Sequence, residues 1–117
     1  MKKQNIKTLR NKCDKLLQEL VRATYDKCLV CGKPVSCGHH YYPKSTSSAL
    51  RYCWENIIPI CQGCHFSLHN SNPEIQNRIN DIKGKKWLAV LQKKKSAYVK
   101  TDIAYYKNIY DQLSKIN

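Results

Sequence analysis

The stretch "ENIIPICQGCHFSLH", residues 55–69, sets two cysteines and two histidines within positions 61–69. Cys61 and Cys64 form a CxxC turn with Gly63 inside it, and such a turn can present two thiolates to one tetrahedral zinc at about 2.3 Å. A second turn of the same form lies upstream at Cys28 and Cys31, followed by Gly32. Together the two knuckles predict a closed, structural zinc site on Cys28, Cys31, Cys61 and Cys64. The 29 residues between Cys31 and Cys61 exceed the roughly 15 to 20 of a simple zinc ribbon, so an insert is expected there, and function with it.

Composition agrees with a metal-stabilised binder of a polyanion. A chain of 117 residues fits one domain, and at this size only about two thirds of the unfolded surface is buried, so a metal would help. In a reducing compartment seven cysteines point to metal ligands and free thiols rather than disulfides, and the odd number argues against full pairing. Lysine and arginine outnumber aspartate and glutamate 21 to 8, a net charge of +13 that favours nucleic acid as partner. No apolar run approaches the roughly 18 residues needed to span a bilayer, and "MKKQNIKTLRNK" lacks the apolar segment of a secretory signal. The expectation is a soluble, cytoplasmic protein without a membrane partner or a small-molecule cofactor.

The chain reads as a single domain over 1–117, with a helical arm at 1–25, a cysteine and histidine core at 26–70 and a helical tail at 71–117. From Asn5 to Arg22 the residues Ile6, Leu9, Cys13, Leu16, Leu17, Leu20 and Val21 recur at spacings of three and four, one stripe of an amphipathic packing helix. Residues 28 to 60 carry Gly32, Pro34, Gly38, Pro43 and a Ser/Thr cluster at 45–48, and runs such as "LRYCW" and "NIIPI" predict turns, short strands and a loop. Asn72, Pro73 and Glu74 begin a helix that Gly84 ends, and a second follows over about 85–94. Thr101 or Asp102 caps a third, with its stripe on Ile103, Tyr106, Ile109, Tyr110, Leu113 and Ile116.

With the knuckle cysteines assigned to zinc, four histidines remain: His39 and His40 in "GHHYYP", and His65 and His69 after the second knuckle. On a helix His65 and His69 share one face and can grip a metal as i and i+4 partners. Taken singly, any of the four reads better as a surface residue or as a substitute ligand at the zinc than as part of a second site. Their joint spacing favours a second metal site.

These residues resemble the HNH endonuclease superfamily, with its hairpin-plus-helix ββα-metal core. His39, His40 and Pro43 in "HHYYP", Asn56 in "ENIIPIC", and His65 directly after the Cys61 and Cys64 knuckle match the family's three motif positions, and His69 adds a fourth. The four-cysteine frame, the "LRYCWEN" approach and the helical tail are most similar to the phage NinG/Rap recombination nucleases. His39 stands where many members carry aspartate. The resemblance implies an α+β fold, a zinc-stabilised, treble-clef-like ββα-metal core flanked by N- and C-terminal helices. It implies metal-dependent hydrolysis of DNA, with branched recombination intermediates among the substrates and the host bacterial cytoplasm as location if the chain is phage-encoded.

In that reading His39, His65 and His69 bind the catalytic ion and His40 is the general base, an imidazole with an ordinary pKa near 6.5 being suited to the task. Asn56 holds the loop bearing His40. Three imidazoles suit Zn²⁺, Ni²⁺, Co²⁺ or Mn²⁺, with Mg²⁺ recruited through water and phosphate oxygens. Arg51, Lys44 and Tyr41 are the expected nucleic-acid contacts, Arg51 foremost, and the lysines of "KGKKW" and "KKK" at 83–87 and 93–95 are either DNA-facing or solvated. The alternative to a nuclease is a non-catalytic zinc module that binds DNA or RNA.

Overall fold

The apolar stripe of the arm forms helix α1, Ile6–Thr24, in the computed structural model of the chain, which describes residues 5–70 and 72–116. Asn5 caps it by accepting from the Thr8 amide at 2.8 Å. Leu9, Cys13, Leu17, Leu20 and Val21 are its buried residues, while Ile6 at the stripe's beginning stays exposed. α1 packs on the last helix, α5, Ile103–Ser114, which Asp102 caps through the Tyr105 amide. Their shared core joins Leu17, Leu20 and Val21 to Ile57 and Leu113. Burying each such side chain is worth about 1.5–3 kcal/mol.

Two short antiparallel strands lie beside this pair: β1, Cys37–His40, and β2, Ile57–Ile60. Their register sets Gly38 opposite Pro59 and His39 opposite Ile58. Successive strand residues face opposite sides of the sheet. Accordingly Ile57 enters the α1 and α5 core, whereas Ile60 enters a second cluster with Cys28, Cys61 and Cys64. Gly38 is where α1 comes closest to β1. A Cβ there would lie 2.5 Å from Ile57 Cγ2 and 2.8 Å from Val21 Cγ2, and Gln18 of α1 bonds both backbone groups of Gly38, at 2.7 and 3.0 Å.

Directly after β2 runs α2, Gln62–His69, followed by α3, Pro73–Lys83, and α4, Lys85–Lys94. Asn72 and Pro73 start α3 as the sequence indicates, and Gly84, at φ 91°, forms the break between α3 and α4. Ile79 and Leu91 anchor these two helices with no exposed surface. "LRYCW", which the sequence places among turns, short strands and a loop, takes the turn alternative. It is a run of turns, with Cys53 N–H donating to the Leu50 carbonyl at 3.2 Å and Asn56 N–H to that of Cys53 at 2.9 Å, ending in a 3₁₀ turn, Trp54–Asn56. The described residues thus form a small α+β fold of five α-helices and a two-stranded sheet. No helix among them is long and apolar enough to cross a membrane.

Candidate metal and nucleic-acid site

The first knuckle is a tight loop tied to β2. Cys28 N–H donates to the Lys33 carbonyl at 2.7 Å, Gly32 N–H to that of Cys28 at 3.0 Å, and Leu29 N–H to that of Pro59 at 2.9 Å. Gly32 adopts φ 77°, a left-handed conformation that favours glycine. The second knuckle is the beginning of α2. Cys61 is the helix N-cap, its sulfur accepting from the Cys64 amide at 3.4 Å. The four sulfurs of Cys28, Cys31, Cys61 and Cys64 lie within 4.8 Å of one another. A tetrahedral zinc bound at about 2.3 Å requires sulfurs about 3.8 Å apart, so the set fits that ion with small adjustment. Burial pushes the Cys61 thiol up, but the Cys64 amide and the neighbouring thiols outweigh it and hold the group down at about 7. Burial and the same neighbouring thiols push the Cys64 thiol strongly up, so within the cluster Cys61 is the group poised to supply thiolate.

α2 also carries the next group. His65 and His69, one turn apart, bring their Nε2 atoms to 3.0 Å. Two imidazoles sharing one ion at about 2.1 Å would have nitrogens about 3.0–3.4 Å apart. His39 of β1 faces them, its ring centroid 5.4 Å from that of His65 and 6.4 Å from that of His69. Burial first, and then the neighbouring histidines, lower the pKa of His39 to about 4; His65 is lowered by burial and by His69. Both are therefore neutral near pH 7, but the three rings are less closely gathered than the thiols: among the described residues the four cysteines are the one group of three or more potential ligand atoms all within 4.8 Å of one another. The other ring nitrogen of His65, Nδ1, lies 3.4 Å from Cys37 Sγ on the same face of β1 as His39, a contact that fixes which nitrogen faces His69.

His40, next along β1, faces the other side. Its Nε2 lies 2.9 Å from the main-chain carbonyl oxygen of Arg51. Because that oxygen can only accept, Nε2 carries the proton and Nδ1 is left unprotonated. Burial lowers the His40 pKa, partly offset by the Arg51 carbonyl. Asn56 is fully buried and fixes the loop that follows His40: its Oδ1 accepts from Tyr42 N–H at 2.9 Å, and its Nδ2 donates to the carbonyls of Tyr42 and Leu50 at 3.1 and 3.2 Å.

A cleft of about 500 Å³ opens over these groups, lined by His39, His40, His65 and His69 and by the basic residues Arg22 and Lys44. Of the three expected nucleic-acid contacts, Lys44 alone lines it. Arg51 departs from that expectation because its guanidinium is engaged by Asp14 of α1, with Nε donating at 3.1 Å and Nη2 at 2.6 Å. Tyr41 is turned towards the tail, its hydroxyl donating to Asn80 Oδ1 at 2.6 Å and its ring set edge-on against Trp87. Sequence reasoning missed Arg22, Gln18 and Asp14. Their signal was the spacing of four between them, which sets all three on one face of α1.

Among curated proteins, a mitochondrial DNA mismatch repair protein mutS homolog from Sarcophyton glaucum is 34% identical to this chain over 56 residues. The match covers 43% of this chain and 6% of that protein. No protein-family model and no solved structure matches the chain.

Proposed function

We propose that the chain is a metal-dependent HNH endonuclease that hydrolyses DNA phosphodiester bonds. The observation that carries this reading is the meeting of His39, His65 and His69 with His40 in one basic cleft above a buried Asn56. In this reading the four thiols hold a structural zinc that joins the first knuckle to α2. His39, His65 and His69 would hold a divalent ion, which when bound supplies Lewis-acid stabilisation of the charge developing on the phosphate and the leaving oxygen.

The remaining steps belong to the chain's own side chains. His40 takes the proton of the attacking water at Nδ1, because Nε2 already donates to Arg51. Asn56 acts at a distance from the substrate, fixing the backbone after His40 through three hydrogen bonds. Arg22 and Lys44 rim the cleft and have no acidic partner within 4.0 Å among the described residues, so both are available to phosphate oxygens. α3 and α4 add the lysines of "KGKKW" and "KKK", and in this reading their charge favours substrates that offer more than one duplex arm, such as the branched intermediates handled by phage recombination nucleases.

The test is incubation of the purified protein with supercoiled plasmid, a four-way junction and a linear duplex, each with Mg²⁺, Mn²⁺, Ni²⁺, Co²⁺ or Zn²⁺. Metal-dependent nicking of the plasmid is expected, with faster cleavage of the junction than of the linear duplex. Binding without cleavage under every ion would return the chain to the non-catalytic zinc module.

A further inference from the structure

α1 reads in sequence as a packing helix, but one of its faces is polar. Asp14, Gln18 and Arg22 recur every four residues and share that face. Each meets a different part of the histidine site: Gln18 bonds the backbone of Gly38 in β1, Arg22 lines the cleft, and Asp14 clamps the loop that ends at Asn56. The clamp is tight. Asp14 Oδ1 accepts from Arg51 Nε at 3.1 Å and from the Tyr52 hydroxyl at 2.8 Å, while Oδ2 accepts from Arg51 Nη2 at 2.6 Å. Both charged side chains are mostly covered, with 23% of Asp14 and 19% of Arg51 exposed.

Arg51 touches His40 by its backbone, not by its charge. Its main-chain carbonyl is the acceptor for His40 Nε2. Arg51 lies in a turn, and its own backbone N–H reaches the Ser48 carbonyl only at 3.4 Å, so the side-chain clamp is the stronger anchor at this residue.

We propose that Asp14 is a positioning residue for His40: by gripping the side chains of Arg51 and Tyr52 it holds the Arg51 carbonyl against His40 Nε2, and so fixes the tautomer that leaves Nδ1 free to accept a proton. The consequence for cleavage rests on the nuclease reading; the tautomer does not. Without the clamp the Arg51 carbonyl moves, and His40 populates the form protonated at Nδ1, which cannot act as a base at that atom.

Nitrogen NMR of ¹⁵N-histidine-labelled, zinc-loaded protein reads the tautomer directly. In the wild type, His40 is expected to show a protonated Nε2 and an unprotonated Nδ1, and in Asp14→Asn a mixture of the two forms. Should Asp14→Asn fail to fold, Tyr52→Phe removes one hydrogen bond from the clamp, keeps the ring, and is expected to shift the same signals by less. On supercoiled plasmid, Asp14→Asn is expected to lower kcat about 10-fold or more with KM within about 2-fold. In a His40→Ala background the same substitution should change kcat by less than about 2-fold, because the group it acts through is gone. An unchanged His40 tautomer in the folded variant, or losses that multiply in the double variant, overturns the proposal. A shifted tautomer in a protein that cuts no DNA supports the positioning role and removes the nuclease reading instead.

Discussion

Cys31 Sγ lies 3.4 Å from Cys61 Sγ across a separation of 30 residues, so the first knuckle and the beginning of α2 meet through sulfur within a small apolar cluster that Val30, Ile60 and Leu68 help to form. Structural zinc in small domains contributes an apparent 10–16 kcal/mol or so, comparable to the whole stability of about 5–15 kcal/mol of an ordinary domain. Cys61→Ser should therefore unfold or aggregate the protein, and a strong chelator should do the same to the wild type. His65→Ala, at a half-buried position outside the thiol cluster, should keep a cooperative thermal melt and lose plasmid cleavage. Equal melts for wild type and Cys61→Ser would contradict the assignment.

Asn56 is the buried polar residue on which the loop between the strands depends. Replacing it by alanine leaves the Tyr42 amide and two carbonyls without their partner. The expected loss is about 2–4 kcal/mol, from the orphaned backbone groups and the cavity together. Urea unfolding of Asn56→Ala measures it, and a loss under about 1 kcal/mol would show that water replaces the side chain at little cost.

Gly38 marks the closest approach of α1 to the sheet. In Gly38→Ala the new methyl meets Ile57 and Val21, both buried, and either side chain can move only by disturbing the core it shares with Leu17 and Leu113. A destabilisation of about 1–3 kcal/mol is expected, and α1 should be pushed off the Gln18 contacts. Hydrogen exchange at the Gly38 amide, which donates to Gln18 at 2.7 Å, should speed up beyond what the global loss explains.

What could be read from the sequence was local chemistry. The knuckles carry their spacing in CxxC, His65 and His69 carry theirs in one helical turn, and Asn72, Pro73 and Gly84 punctuate α3 by their own backbone preferences. Periodicity also identified the apolar face of α1, because burial follows hydrophobicity. It gave no account of the polar face, since nothing in a helical period says what an outward aspartate meets 37 residues away. For the same reason Arg51, a free cation by charge alone, is bound to Asp14 in the fold. Loop residues 41–53 were the least legible: their conformation follows from the buried amide of Asn56 and from partners on α1, α3 and α4, not from their own propensities.

The Asp14 and Arg51 pair makes a prediction about acid. Burial raises the Asp14 pKa, but the hydrogen bonds from Arg51 and Tyr52 exceed that effect and leave the carboxyl below its ordinary value of 3.8. A group whose pKa is lower in the folded state contributes stability above its unfolded value, and that contribution is lost as pH falls through the folded value. The difference in melting temperature between wild type and Asp14→Asn should thus be constant from pH 7 down to about pH 5, then shrink below about pH 4. A difference that instead vanished between pH 7 and pH 5 would place the pair's contribution on another group.

The salt dependence of DNA binding separates the charges that face the cleft from those already paired within the fold. Each phosphate neutralised on duplex DNA contributes about −0.9 to the slope of log affinity against log salt, and with about six contacts the wild type is expected near −5. Arg22 and Lys44 line the cleft without acidic partners, so replacing both by glutamine should make the slope shallower by about 1.8. Arg51→Gln removes the same unit of charge from the chain, but one already neutralised by Asp14 at 2.6 Å. Its slope should stay within a few tenths of the wild type even as the protein loses stability. Fluorescence titrations of one labelled duplex over a series of salt concentrations make the comparison. A slope changed by about one unit in Arg51→Gln, with none in the Arg22 and Lys44 variant, would move the phosphate contact from the Arg22 and Lys44 rim to the Asp14 and Arg51 clamp and overturn the role assigned to the cleft.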